Sequence, residues 1–404
     1  MLPFATAYHR RLTWRYFALF IAIGMTGGLL GPALPHLADS VGASMSQIAI
    51  LFTARAVGNM SGAFVTGLLL DRFDGHKVLF AMGAIMVTGL AITPFSPLLI
   101  LLAGLFGILG FAEVALNSGG NTLLVWLHRD DAGPNISALH FCFSFGNMLT
   151  PLVMVAALSL TGQFHWAFWV VGAFALLTLL PLLRFASPHK TPTLDSDTPP
   201  ATTPKHSDAV LLVLFMLIFA LYVGMEITFA GWVTSYGVLV GLAAKDAAIL
   251  ATLFWLTLSA GRLLAIPLLR VISPWWVLCG CTALGLVTAW ALHALWVPLS
   301  IGALLFGLAA SAFFPTLYAL SNQVMEMRGR TTGAIFTAAG SGALVVPSLT
   351  GPLLDWLGAG AFPLLLAGLV ILMSAGLGLL ALRLRALGQA THAEAVKPLP
   401  RGEH

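Results

Sequence analysis

Charge is what this 404-residue chain has least of: Asp, Glu, Lys and Arg together make up 8% of it. A water-facing domain carries about 25%. So small a supply cannot coat a soluble surface, which excludes an ordinary globular protein in water. Cysteine is scarce too. Cys142, Cys279 and Cys281 all fall inside apolar segments, and the last two point to different helix faces. That excludes a disulfide framework and a metal-ligand spacing, and leaves packing as their role. No metal triad, nucleophile–base pair or phosphate loop is present, so neither an enzyme nor a bound cofactor is expected. No cleavable signal peptide is expected either, because the segment after the basic start runs on into further apolar sequence.

Apolar sequence is what the chain has in abundance: hydrophobic residues make up 59%. Twelve long apolar stretches lie near 14–38, 45–70, 78–93, 98–126, 133–160, 165–183, 209–239, 246–269, 275–291, 296–323, 331–356 and 360–382. Lipid leaves a spanning chain only helices or closed barrels. The unbroken runs lack the ten-residue alternation of a barrel strand. The expected fold is an all-α membrane protein with twelve transmembrane helices in two six-helix bundles around a central cavity. The 41 glycines and 22 prolines suit helices that pack closely and bend in a bilayer.

Lys and Arg are placed unevenly. Arg10 and Arg11 precede the first stretch and Arg15 lies at its start, Arg72 and Lys77 follow the second, and Arg129 follows the fourth. Arg184, Lys190 and Lys205 follow the sixth, and Arg262 and Arg270 lie near the end of the eighth. Arg328 and Arg330 join the tenth to the eleventh, and Arg383 and Arg385 close the twelfth. The alternate connections hold essentially Lys245 alone. The positive-inside rule puts both termini and the basic loops in the cytoplasm of a multi-pass inner-membrane protein. It also accounts for the net charge of +4 without a nucleic-acid partner.

A polar, proline-bearing linker at 185–208 separates an N-terminal bundle (1–184) from a C-terminal bundle (209–385). A similar tail at 386–404 is expected to be disordered in the cytoplasm. The halves echo one another. Residues 102–117 read L-A-G-L-F-G-I-L-G-F-A-E-V-A-L-N, and residues 302–317 read G-A-L-L-F-G-L-A-A-S-A-F-F-P-T-L, with Gly107 matching Gly307. Two six-helix repeats would pair the fourth helix with the tenth, and such repeats enclose a central binding site.

Ionisable groups inside the apolar stretches are costly and usually face a cavity or a partner. Glu113, Asn117 and Asn121 recur at i, i+4 and i+8, so one helix face presents a carboxylate and two amides. That face suits a polyol, or a carboxylate that loads a proton. It equally suits a structural carboxylate paired with Arg55. Glu226 lies among Tyr222, Trp232 and Tyr236, whose rings could stack on a sugar while the carboxylate bonds its hydroxyls. A gating or packing role for this group is the alternative. Both glutamates are expected on opposite walls of the cavity. His140 could relay protons or pack a helix. Asn59 and Gln323 are further cavity candidates, and Asn147 and Asn322 equally tie helices together.

Residues 67–77 read G-L-L-L-D-R-F-D-G-H-K. This resembles the signature loop between the second and third helices of the major facilitator superfamily, with Gly67, Asp71, Arg72, Gly75 and Lys77 in place. The resemblance implies that the loop locks the cytoplasmic side, with Asp71 near the start of the eleventh helix. Gly261 and Arg262 with Arg270 look like a second, degraded copy that lacks its acidic partner. Glu113, Asn117 and their glycines, G-P-A-L-P-H-L-A at 31–38 and Y-V-G-M-E at 222–226 resemble the branch of fucose permeases and sodium-dependent glucose transporters. Thr26, Gly27 and Gly28 stand where the fucose permeases carry an aspartate. The resemblance implies cation-coupled uptake (H+ or Na+) of a hexose or similar small polar solute by alternating access, with Glu113 as the coupling carboxylate. A proton-coupled exporter of lipophilic compounds is the alternative. A monomer in contact with lipid is expected, because one chain could hold a complete pathway.

Overall fold

The computed structural model describes residues 6–128, 132–188, 208–269, 271–325 and 329–395. Arg129, Lys190, Lys205, Arg270 and Arg328, most of the linker and residues 396–404 lie outside them. The helices are α1 (Ala7–Gly28), α2 (Leu30–Val41), α3 (Met45–Ile48), α4 (Ile50–Leu70), α5 (Gly75–Ile92), α6 (Leu99–His128), α7 (Ala132–Thr161) and α8 (His165–Leu179). After the linker come α9 (Ala209–Leu239), α10 (Ala244–Leu268), α11 (Pro274–His293), α12 (Leu299–Ser311), α13 (Phe313–Val324), α14 (Gly329–Leu357) and α15 (Ala361–Ala395). Every one of the twelve expected stretches is helical. Among the described residues, ten helices are long and apolar enough to cross a membrane, or eleven with α1 and α2 counted as one bent span.

Side-chain oxygens start several helices by accepting otherwise unpaired backbone N–H groups. Thr6 caps α1, Asp74 caps α5 and Asp208 caps α9. Ser44 and Gln47 form a capping box on α3. Proline sets the breaks. Pro32 has no N–H for the Gly28 carbonyl, and α1 gives way to α2 there with a 42° bend. Pro315 likewise leaves the Ser311 carbonyl without its helical partner, and α12 ends at Ser311. One boundary differs from expectation. α15 continues to Ala395, past the tail boundary at 386, and Arg383 on it bonds Asp208 at 2.6 Å.

Helices α1–α8 pack among themselves, as do α9–α15. Glycine contacts reveal the repeat. A Cβ on Gly58 of α4 would strike the Gly107 carbonyl of α6, and one on Gly307 of α12 would strike Thr257 and Phe254 of α10. In the same way Gly24 and Gly146 join α1 to α7, and Gly224 and Gly342 join α9 to α14. Both halves thus use the same two backbone-close helix pairs, the packing expected where no water drives helices together.

The bundles touch through α7 with α10, α4 and α3 with α14, and α2 with α9. At the end opposite the linker they close tightly. The Ser46 N–H donates to Asp355 Oδ2 (2.8 Å), and the Thr53 and Ser348 hydroxyls meet at 2.6 Å. Phe52 stacks on Trp232 at 5.5 Å, and Gly31 lies so near Ala230 that a Cβ would sit 2.5 Å from its carbonyl oxygen.

Candidate functional site

A cavity of about 550 Å³ lies between the bundles. The α1–α2 bend, α4, α6 and α7 form one wall with Gly27, Gly28, Arg55, Asn59, Glu113, Asn117 and Asn147. The other wall is Val223, Ile227, Ala230 and Gly231 of α9, Trp255 of α10, and Phe336 and Ala343 of α14.

Glu113 sits at the middle of α6, about 20 Å from either end at 1.5 Å per residue. It is 6% exposed, and its Oε2 accepts from Arg55 Nη2 at 2.7 Å. Arg55 Nη1 donates to the Gly27 carbonyl at 2.9 Å. That carbonyl is free because the helix breaks just beyond it. One guanidinium therefore ties the α1–α2 bend, α4 and α6 together. Gly27 leaves the room for this, since a Cβ there would lie 2.9 Å from Glu113 Oε1. Glu113 is paired with Arg55, and the pair faces the cavity. In the orientation that satisfies its neighbours, the Asn59 amide donates to the Gly110 carbonyl at 2.9 Å. Asn121 donates to Asn117 Oδ1 at 3.1 Å, so it stands behind Asn117.

The other expected residues lie elsewhere. Glu226, 8% exposed, turns into its own bundle and pairs with Arg262 at 3.0 Å. Arg262 lies inside α10, as its place near the end of the eighth stretch implied, and its guanidinium donates to Glu226 of the same bundle. Tyr222 is fully buried, donates to the Ala310 carbonyl at the α12–α13 break (2.9 Å) and stacks on Phe313. The Trp232 indole donates to the Pro347 carbonyl at 2.9 Å, and the Tyr236 hydroxyl to Leu292 at 3.2 Å. These three rings hold helices together and leave none of their faces on the cavity wall. His140 is exposed on α7 with its ring edge-on to Phe20, and Gln323 is exposed at the end of α13.

In the signature loop, Asp71, Arg72 and Lys77 are exposed. Gly75 is pressed against Leu123 and Ser187, where a Cβ would lie 2.6 and 2.8 Å away. Gly67 falls within α4, and its packing lies outside what is described. Sequence reasoning missed Trp255 and Phe336, which sit in apolar runs with nothing to mark them. Asn147 carried a weak signal as an amide in an apolar stretch.

Residues 16–347 match the family model for the Major Facilitator Superfamily. The chain belongs to that superfamily. It is accordingly a secondary active transporter that works by alternating access, and not an enzyme. Its similarity to individual members is moderate. It is 27% identical over 379 residues to sodium-dependent glucose transporter 1A of Mus musculus, covering 83% of this chain and 88% of the relative. It is 26% identical to sodium-dependent glucose transporter 1 of Homo sapiens, covering 83% and 72%. Among solved structures, the nucleoside transporter NupG superposes with a TM-score of 0.74 at 12% identity, covering 91% of this chain and 99% of that one. A D-xylose-proton symporter does so at 0.68 and 13%, covering 91% and 97%. At such identities these structures bear on the fold alone.

Proposed function

We propose that this transporter takes up a hexose, or a small polar solute like it, together with H+ or Na+. The observation that carries the proposal is the Glu113–Arg55 pair facing the cavity beside Asn59, Asn117 and Asn147. A carboxylate and three amides supply acceptors and donors for hydroxyl groups in an otherwise apolar site. The glucose transporters among the relatives support the choice of hexose.

On this reading α4 completes twelve spans, and 1–184 and 209–385 are the two moving bundles. Both termini and the linker lie in the cytoplasm, and the membrane is the cell's inner membrane. The sealed end is the outer one, so the conformation is closed to the outside. A cation arriving at Glu113 competes with Arg55 for the carboxylate. A released Arg55 loosens its hold on the Gly27 carbonyl, and Gly31, one turn along, is part of the outer seal. Coupling and gating thus share one side chain. Inward movement of a cation supplies about 2.3 kcal/mol per charge at 100 mV. One chain holds the whole pathway and acts as a monomer.

The alternative, proton-coupled export of a lipophilic compound, is favoured by the apolar α9–α10–α14 wall. Accumulation of labelled glucose in proteoliposomes under an imposed Na+ or pH gradient tests the proposal. Uptake that rises with one gradient and collapses with an ionophore supports it and names the ion. Glucose accumulation under neither gradient, with outward movement of a lipophilic cation instead, refutes it.

A further inference from the structure

The cavity is polar on one side only. Arg55, Asn59, Glu113, Asn117 and Asn147 all belong to the N-terminal bundle. On the opposite wall the side chains are aliphatic or aromatic, and the Trp255 indole N–H is the one side-chain hydrogen-bonding group among the lining residues there. Glu226 of that bundle is paired with Arg262 of the same bundle. Trp255 is also largely buried. It is 8% exposed, and its ring meets that of Phe254 edge-on at 5.4 Å. Phe254 is itself fully buried against Phe229 at 4.7 Å.

We infer that Trp255 is the solute-stacking contact of the C-terminal bundle: its ring packs on the C–H face of the solute, while the N-terminal bundle alone reads the hydroxyls. A flat aromatic surface accepts any ring with an apolar face. Amides and a carboxylate accept only hydroxyls placed to meet them, and a site built for a hydroxyl rejects the analogue lacking it. The transporter therefore discriminates on one edge of the sugar ring and tolerates change on the other. The inference rests on the hexose reading above.

The test is glucose counterflow in proteoliposomes with the full chain, using wild type, Trp255→Phe, Trp255→Ala and Asn117→Ala, with each monodeoxyglucose as a competitor. Trp255→Ala should raise the half-saturation concentration about five- to tenfold, the loss expected of one aromatic face, and Trp255→Phe should stay within about threefold of wild type. Trp255→Ala should keep the wild-type ranking of the deoxy sugars, whereas Asn117→Ala should change it. In the wild type, deleting some hydroxyls should abolish competition and deleting others should leave it intact. That last measurement stands even where a variant fails to fold. Wild-type counterflow with an unchanged half-saturation in Trp255→Ala, or with equal loss at every deoxy position, overturns this inference and spares the hexose reading. No glucose counterflow by the wild type overturns both.

Discussion

Replacing Glu113 with Gln separates transport from coupling. Gln has the same shape, and its amide oxygen can still accept from Arg55 Nη2, which now stands 2.7 Å from the carboxylate. Arg55 also keeps its bond to the Gly27 carbonyl. The guanidinium loses its counter-charge and none of its hydrogen bonds. The stability cost should therefore approach the roughly 3–5 kcal/mol of a buried charge that has lost its counter-charge, offset in part by the hydrogen bonds that remain. The functional cost is separate. One cation per solute at 100 mV supports about 2.3 kcal/mol, an accumulation of roughly 50-fold. Without an ionisable group at position 113 that ratio should fall to about one, because nothing in the cavity senses the cation. Counterflow, which needs no coupling, should persist. The assay compares labelled glucose uptake by Glu113→Gln in proteoliposomes with an ion gradient and in counterflow without one. Wild-type accumulation with unchanged pH and Na+ dependence would refute the reasoning.

Three further outcomes follow from the geometry. Asp355→Ala removes the carboxylate that bonds the Ser46 N–H across the sealed end. A Ser348→Cys reporter beside Thr53, in a cysteine-free background, should then react several-fold faster with an impermeant maleimide; an unchanged rate would count against an outer latch. Glu226→Gln breaks the pair with Arg262 inside the C-terminal bundle. It should cost about 1–3 kcal/mol of stability, discounted because Arg262 is partly exposed, and leave ion-driven accumulation intact. Loss of accumulation without loss of stability would place Glu226 in the coupling step. Arg383 and the Leu211 N–H hold the Asp208 carboxyl below the usual carboxylate range. Its contribution is complete above about pH 4, the unfolded value, and disappears as pH falls through its lowered folded value. The melting-temperature gap between wild type and Asp208→Asn should therefore narrow on acidification, and a constant gap would contradict it.

Much of the architecture was legible because lipid imposes it. A run of apolar residues in a bilayer has no option but a helix, so every expected stretch is helical, and α9 matches its expected limits to the residue. The echo between Gly107 and Gly307 was legible as a shared glycine-rich run, and both sit at equivalent helix pairs, where Gly58 and Gly307 are the positions that leave no room for a Cβ. Charge in apolar sequence marked Glu113 and Arg55, since such groups need a partner. What sequence could not show was which way a side chain turns. Glu226 and Glu113 look alike as isolated carboxylates, yet one faces the cavity and the other its own bundle. Aromatic residues were least legible of all. Tyr222, Trp232 and Tyr236 drew notice as rings beside Glu226 that could stack on a sugar, and their polar atoms instead bond carbonyls of neighbouring helices. Trp255 drew none, because an indole in an apolar run reads the same on a cavity wall and against lipid.

Counterflow of radiolabelled glucose by the purified protein tests the central claim most directly, with unlabelled glucose inside the liposomes and no ion gradient. The account predicts uptake well above that of empty liposomes, competed by other hexoses and not by lipophilic cations. No uptake by intact, correctly inserted protein, or competition by lipophilic cations alone, would contradict a hexose pathway between the two bundles.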